Sequence, residues 1–162
     1  MKLALISDTH GYCKGLSEQI KKQGVDYILH MGDGVHEAYQ IRRETGLPTF
    51  VVKGNNDFTE DEKNDLFFVL EGIPIWMTHG HRYSVRYSRD SLLETALQKN
   101  AKIVLYGHTH VFNDEEIAGI RFINPGSTTL PRDGMASFAV LDLSSGELTR
   151  IELPKPKLFG LF

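Results

Sequence analysis

Short apolar runs alternate with helical spacing through the first third of this chain, and the pattern changes in the rest. Residues 3–6, 25–31 and 49–52 are continuous apolar or β-branched runs of the kind that buried parallel strands show. Between them, residues 15–22 carry Leu16 and Ile20 at helical spacing and stop at Gly24, and residues 35–44 end at Gly46-Leu47-Pro48. Strand, helix, strand, helix, strand predicts a parallel sheet with right-handed crossovers. After Asp57 the segment 59–65 is polar and predicts one or two helical turns, while 67–70 and 73–77 flank Glu71-Gly72 as a hairpin. The longest predicted helix is 88–98, with Leu92, Leu93, Ala96 and Leu97 on one face, and 103–106 returns to strand. From 111 to 153 the runs are short and punctuated by Gly119, Pro125-Gly126, Asp133-Gly134 and Ser145-Gly146. The expectation is an α/β fold in which two mixed β-sheets pack face to face with helices on the outer faces. Residues 1–162 are expected to form a single domain, without repeat or linker.

Each strand run ends in a polar burst. The runs lead into Asp8-Thr9-His10, Gly32-Asp33, Gly54-Asn55-Asn56-Asp57, His79-Gly80-His81, Gly107-His108-Thr109-His110 and Asn124-Pro125-Gly126-Ser127. Open α/β sheets bind ligands at the carboxyl edge of their strands, so these residues converge on one edge. Asp8 and His10, His79 and His81, and His108 and His110 are each two apart, which in extended backbone turns both side chains to one face. Any one pair, or Gly32-Asp33-Gly34 alone, reads as an ordinary turn. Five such signals in order point to a metal centre with oxygen and nitrogen ligands. That donor set suits manganese, iron, nickel or zinc rather than calcium.

Composition narrows the remaining classes. A chain of 162 residues, 41% hydrophobic and 24% charged, can bury a full core, and a net charge of −3 gives no reason to expect long nucleic acid as a partner. The single Cys13 has no partner for an intramolecular disulfide. The first run is too short for a secretory h-region, and none approaches the roughly 20 residues of a membrane span. A cytoplasmic protein without membrane association is expected. The tail 158–162 (Leu158, Phe159, Gly160, Leu161, Phe162) is apolar and is expected to cover the core, with a homodimer contact as the other reading.

With these motifs in order over nearly its whole length, the chain resembles the calcineurin-like metallophosphoesterase superfamily, in particular its small YfcE-like phosphodiesterase branch, to which a retromer subunit of the vacuolar protein sorting group is structurally related. The resemblance implies that Asp8, His10 and His110 hold one divalent metal, that Asn55, His79 and His108 hold a second, and that Asp33 bridges them. It implies a hydrolase for small phosphate esters in which a hydroxide activated by the two metals, most readily Mn2+ with Ni2+, Fe2+ or Zn2+ as substitutes, attacks phosphorus.

One position departs from the family pattern. The fuller motif, Gly-Asn-His followed by an acid, has a histidine that assists the leaving group, and Asn56 stands there. An amide can hydrogen-bond a phosphoryl oxygen but cannot give up a proton near neutral pH, so His81 becomes the nearest substitute acid. Charge favours a diester. Two divalent cations, less Asp8 and Asp33 and a hydroxide, leave one positive charge, which a diester monoanion neutralises and a monoester dianion exceeds unless a cation such as Arg82 compensates. A phosphomonoesterase is therefore the weaker alternative. A scaffold for protein partners is the alternative from another class, and the retention of all seven ligand positions argues for an enzyme.

Overall fold

The computed structural model describes residues 1–154, so the apolar tail at 158–162 lies outside the described residues. Its first third is the predicted alternation: β1 (Lys2–Ile6), α1 (Leu16–Lys21), β2 (Tyr27–His30), α2 (Val35–Thr45) and β3 (Thr49–Val51). Strand β1 pairs in parallel with β2, and β2 with β3. The hairpin follows as β4 (Asp65–Leu70) and β5 (Ile73–Thr78), then α3 (Asp90–Lys99), β6 (Ile103–Leu105), β7 (Phe112–Ile117), β8 (Ile120–Pro125), β9 (Ser137–Asp142) and β10 (Leu148–Glu152). The last two strands return to the first sheet, giving two five-stranded mixed sheets in the orders β10-β9-β1-β2-β3 and β4-β5-β6-β8-β7.

Alternation along each strand explains the layers. Leu3, Leu5, Leu29 and Met31 of the first sheet meet Ile75, Met77, Ile103, Leu105 and Ile123 of the second, forming the core between the sheets. The intervening residues face outward but stay buried under helices. Ala4, Ile6 and Ile28 pack with Leu16, Ile20 and Ile41 of α1 and α2, and Trp76, Val104 and Phe122 pack with Leu92 and Ala96 of α3. Burial on both faces is why these strands read as unbroken apolar runs. No helix among the described residues is long and apolar enough to cross a membrane.

Two local expectations fail. Residues 59–64 form no helix; Lys53 pins the segment instead, its Nζ donating to the Thr59 carbonyl at 3.1 Å and its backbone N–H to that of Lys63 at 2.9 Å. With no apolar position to pack, the segment gains nothing from helical periodicity. On α3, Leu97 is 53% exposed although Leu92 and Ala96 are fully buried; the covered stripe is narrower than the four-residue face expected.

Candidate metal centre

The loops that follow β1, β2, β3, β5 and β6 meet at one edge of the sandwich. The i, i+2 pairs converge there, but not through extended backbone. Asp8, His10, Asp33, His108 and His110 all have left-handed φ, between 44° and 70°, a conformation uncommon for non-glycine residues and concentrated at functional sites. Close approach of these loops needs bare backbone at two glycines. A Cβ on Gly54 would lie 2.1 Å from Asp33 Oδ1, and one on Gly107 would lie 2.0 Å from Ser7 Oγ and 2.8 Å from Asp8 Oδ2.

Two buried carboxylates form the middle of the site. Around Asp8 Oδ1 stand His110 Nε2 at 3.2 Å, His10 Nε2 at 3.6 Å and His79 Nε2 at 3.8 Å. Asp33 Oδ2 lies 3.4 Å from His79 Nε2 and 3.6 Å from His10 Nε2, so it sits between the two histidines. His79 and His110 are both oriented by their far nitrogens, which meet the Met31 and Leu130 carbonyls at 2.6 and 2.7 Å. A carbonyl oxygen can only accept, so Nδ1 carries the hydrogen and Nε2 turns its lone pair to the cluster, the usual arrangement of a metal-ligating imidazole. His10 Nε2 and His110 Nε2 are 3.1 Å apart.

Asp8 Oδ1 and His79 Nε2 are buried and make no hydrogen bond. Lone pairs directed at one another in a dry site require a positive charge between them, and a divalent cation fits that requirement. Two overlapping sets, Asp8-His10-His110 and Asp8-Asp33-His79, can each hold one. Electrostatics run the same way: burial works to raise both carboxyls, but the close imidazoles of His10 and His110 hold Asp8 far below the usual carboxylate range, and that of His79, with the donors of Asn56, holds Asp33 at about 2.

The remaining expected residues are placed unequally. His108 lies beside His79, ring centroids 5.1 Å apart, yet its Nε2 accepts a hydrogen bond from Arg86 Nε at 3.2 Å. Burial, then the neighbouring His79 and the Arg86 guanidinium, lowers its pKa to about 4. The pair His108 and His110 is thus split, one imidazole to each side of the carboxylates. His81 opens a short 3-10 turn, His81–Tyr83, with its ring 5.3 Å from that of His79. Asn55 is exposed, and its side chain makes no hydrogen bond among the described residues. Asn56 grips Asp33 with backbone N–H and side-chain Nδ2, at 2.9 and 2.8 Å. Arg82 pairs with Asp65 at 3.6 Å and is 52% exposed, whereas Arg86 stands beside the cluster, its Nε on His108 Nε2.

Several residues that brace the site had no role in the sequence reading. Asp57 accepts four backbone N–H groups and ties the loop after β3 to the loop after β2. Ser127 Oγ donates to the Asp8 carbonyl at 2.7 Å, and Asn124 Nδ2 to the Gly107 carbonyl at 3.1 Å, so the sixth polar burst supports the loops that present the ligands. His30 is fully buried behind them. Its Nδ1 accepts from the Gly32 N–H at 3.1 Å, leaving Nε2–H for Thr9 Oγ1 at 3.1 Å, and Thr9 donates in turn to Glu37 Oε1 at 3.0 Å. A histidine inside the apolar run 25–31 was the available signal.

Burial holds His30 neutral, its pKa lowered to about 4, whereas in the unfolded chain it titrates near 6.5. Between those values the unfolded state binds the extra proton, so stability present above pH 6.5 is lost as pH falls toward 4, by up to about 3 kcal/mol. Urea unfolding at pH 7 and pH 4.5 should show a larger acid loss for the wild type than for His30→Gln. Equal losses would mean that His30 is not the group responsible.

Comparison with known proteins agrees with this geometry. Residues 1–146 match the calcineurin-like phosphoesterase superfamily domain. The chain is 34% identical to the probable metallophosphoesterase YsnB of Bacillus subtilis over 92% of its own length and 88% of that protein's. It is 28% identical to the phosphodiesterase YfcE of Escherichia coli K12 over 88% of both chains. The crystal structure of zinc-complexed Vps29 from Entamoeba histolytica shares the fold, with a TM-score of 0.77 at 23% identity, covering 94% of this chain and 98% of the other.

Proposed function

Because the chain belongs to the calcineurin-like phosphoesterase superfamily, we propose that it is a metal-dependent phosphodiesterase acting on small phosphate esters. The observation that carries this reading is the pair of orphaned atoms, Asp8 Oδ1 and His79 Nε2, facing each other across a buried site with a second carboxylate beside them. Asp8, His10 and His110 would hold one divalent cation and Asn55, His79 and His108 the other, with Asp33 serving both. These nitrogen and oxygen donors suit Mn2+, Ni2+, Fe2+ or Zn2+, and Mn2+ is the ion we propose. When bound, two such ions activate water and neutralise phosphoryl charge.

The protein's own part is orientation. The Met31 and Leu130 carbonyls fix the tautomers of His79 and His110, and Asn56 fixes the plane of the Asp33 carboxylate. An asparagine engaged in this way supplies no proton, so the departing oxygen leaves without help at that position. General acid assistance is worth about 10²–10⁴-fold and grows with the basicity of the leaving group. Chelated protein should be inactive on aryl phosphodiesters and regain activity with Mn2+, and rates should fall steeply as the pKa of the departing phenol rises. Asn56→His should flatten that dependence. No metal-dependent turnover would overturn the reading and favour a non-catalytic scaffold, for which the exposed Phe58 and Tyr87 offer contact surface. A shallow dependence with chemistry rate-limiting would transfer the acid role to His81.

A further inference from the structure

Beside the cluster lies a groove of about 380 Å³ lined by Val85, Arg86, Arg89, Thr109, Phe112 and Arg132, among others. It adjoins the metal centre. Arg86 Nε donates to His108 Nε2 at 3.2 Å, Thr109 stands between His108 and His110 in the chain, and the Arg132 N–H donates to the His110 carbonyl at 2.9 Å. We infer that this groove binds a second anionic group on the substrate, a phosphate carried by the ester arm that is not cleaved. The inference deepens the phosphodiesterase reading and rests on it.

Three guanidiniums line the groove, and their charges are not equally spent. Arg89 is committed: its Nε pairs with Glu115 at 3.3 Å and its guanidinium lies 5.0 Å from the centre of the Tyr106 ring. Arg86 and Arg132 are exposed and have no acidic partner within 4.0 Å among the described residues. By contrast, Arg82, Arg121 and Arg150 each meet an aspartate. Arg42 and Arg43 on α2 are unpaired as well, but Arg86 and Arg132 are the two that flank one groove, and on a chain of net charge −3 they give it a local positive potential. Guanidinium presents a planar fork that matches phosphate oxygens two at a time. The Arg86 Nε–H already meets His108, so its terminal nitrogens and the whole of Arg132 are left for a ligand.

The chemistry of the reaction is unchanged by this subsite. Water adds across one P–O bond, an alcohol or phenol leaves, and the second phosphate remains on the retained arm. A matched pair of substrates isolates the effect: thymidine 5′-(4-nitrophenyl phosphate), and the same ester carrying a 3′-phosphate. Both release nitrophenol, so the leaving group is held constant. Charge-assisted hydrogen bonds of this kind predict that kcat/KM is about 10–100-fold higher for the 3′-phosphorylated ester at low salt. The ratio should shrink as ionic strength rises, and fall to near one in Arg132→Gln, whatever the absolute rates. A wild-type ratio near one would overturn the subsite while leaving the phosphodiesterase standing. A high ratio that survives both Arg132→Gln and Arg86→Gln would overturn it as well. If neither ester is hydrolysed with metal, it is the proposed activity that fails. Calorimetric binding of the 3′-phosphorylated ester to chelator-treated protein then decides the groove by itself: binding lost in Arg132→Gln supports it, and no binding to the wild type overturns it.

Discussion

Asp33→Asn is expected to lower phosphodiesterase activity by well over a hundredfold while the fold survives. The substitution keeps the shape of the side chain and removes its charge from between His10 and His79, whose Nε2 atoms lie 3.6 and 3.4 Å from Asp33 Oδ2. It also breaks a hydrogen-bond match. Both carboxylate oxygens accept from Asn56, one from the backbone N–H and one from Nδ2, and an amide at position 33 places a donor against one of those donors. Loss of a residue that only supports a ligand typically lowers metal affinity or activity 10–100-fold; loss of a carboxylate proposed to serve both cations should exceed that. Elemental analysis separates the causes. Wild-type protein saturated with manganese should approach two ions per chain, and Asp33→Asn should hold one or fewer, with unchanged circular dichroism. A wild type that never exceeds one ion per chain would sink the two-metal reading.

Much of this arrangement was legible in the sequence, and the failures have identifiable causes. Strands buried on both faces gave continuous runs, so residues 3–6, 25–31 and 49–52 were read as parallel strands and 103–106 as a strand, each within two residues of its observed ends. The candidate ligand residues stood out because they follow those runs directly. The geometric argument for them was wrong in detail: alternation in extended backbone was to align Asp8 with His10 and His108 with His110, whereas left-handed φ at all four turns the loops back on themselves. Asp8 and His10 do meet, while His108 and His110 go to opposite sides of the carboxylates. Local periodicity carries no information about such loops, because their conformation is set by distant groups that satisfy their backbone. Asp57, Asn124 and Ser127 do that here, and each looks like an ordinary turn residue from the chain alone. Arg86 and Arg132 were equally hidden. They lie about 46 residues apart in sequence and meet only because the loops after β5 and β8 flank the same groove.

Asp57→Ala should be the most destabilising single change outside the core. Its Oδ2 accepts from the N–H groups of Asp33 at 2.7 Å and Gly54 at 2.8 Å, and its Oδ1 from those of Gly34 at 3.0 Å and Val35 at 3.1 Å. Gly34 precedes the first residue of α2 and has no side chain with which to cap it, so a carboxylate from another loop closes the helix N-terminus, where the helix dipole also favours negative charge. The same carboxylate holds Asp33 at φ 55°, a conformation that costs about 1–2 kcal/mol when nothing enforces it. Hydrogen bonds to a charged acceptor contribute about 1.5–3 kcal/mol each but are not additive within one carboxylate, and water can reach some of the freed donors. A net loss of at least about 3 kcal/mol follows, which for a chain of this size lowers the melting temperature by roughly 10 °C. Activity should fall with it, about a hundredfold even at temperatures where the protein is folded, since a displacement of 1 Å at the ligands is enough for that. Asp57→Asn retains one acceptor oxygen for the four donors and should fall between the two. A melting temperature for Asp57→Ala within about 2 °C of the wild type would mean that the loops hold their shape without the clamp. The left-handed backbone at Asp33 would then have to be enforced by Asn56, and Asn56→Ala would become the more damaging change.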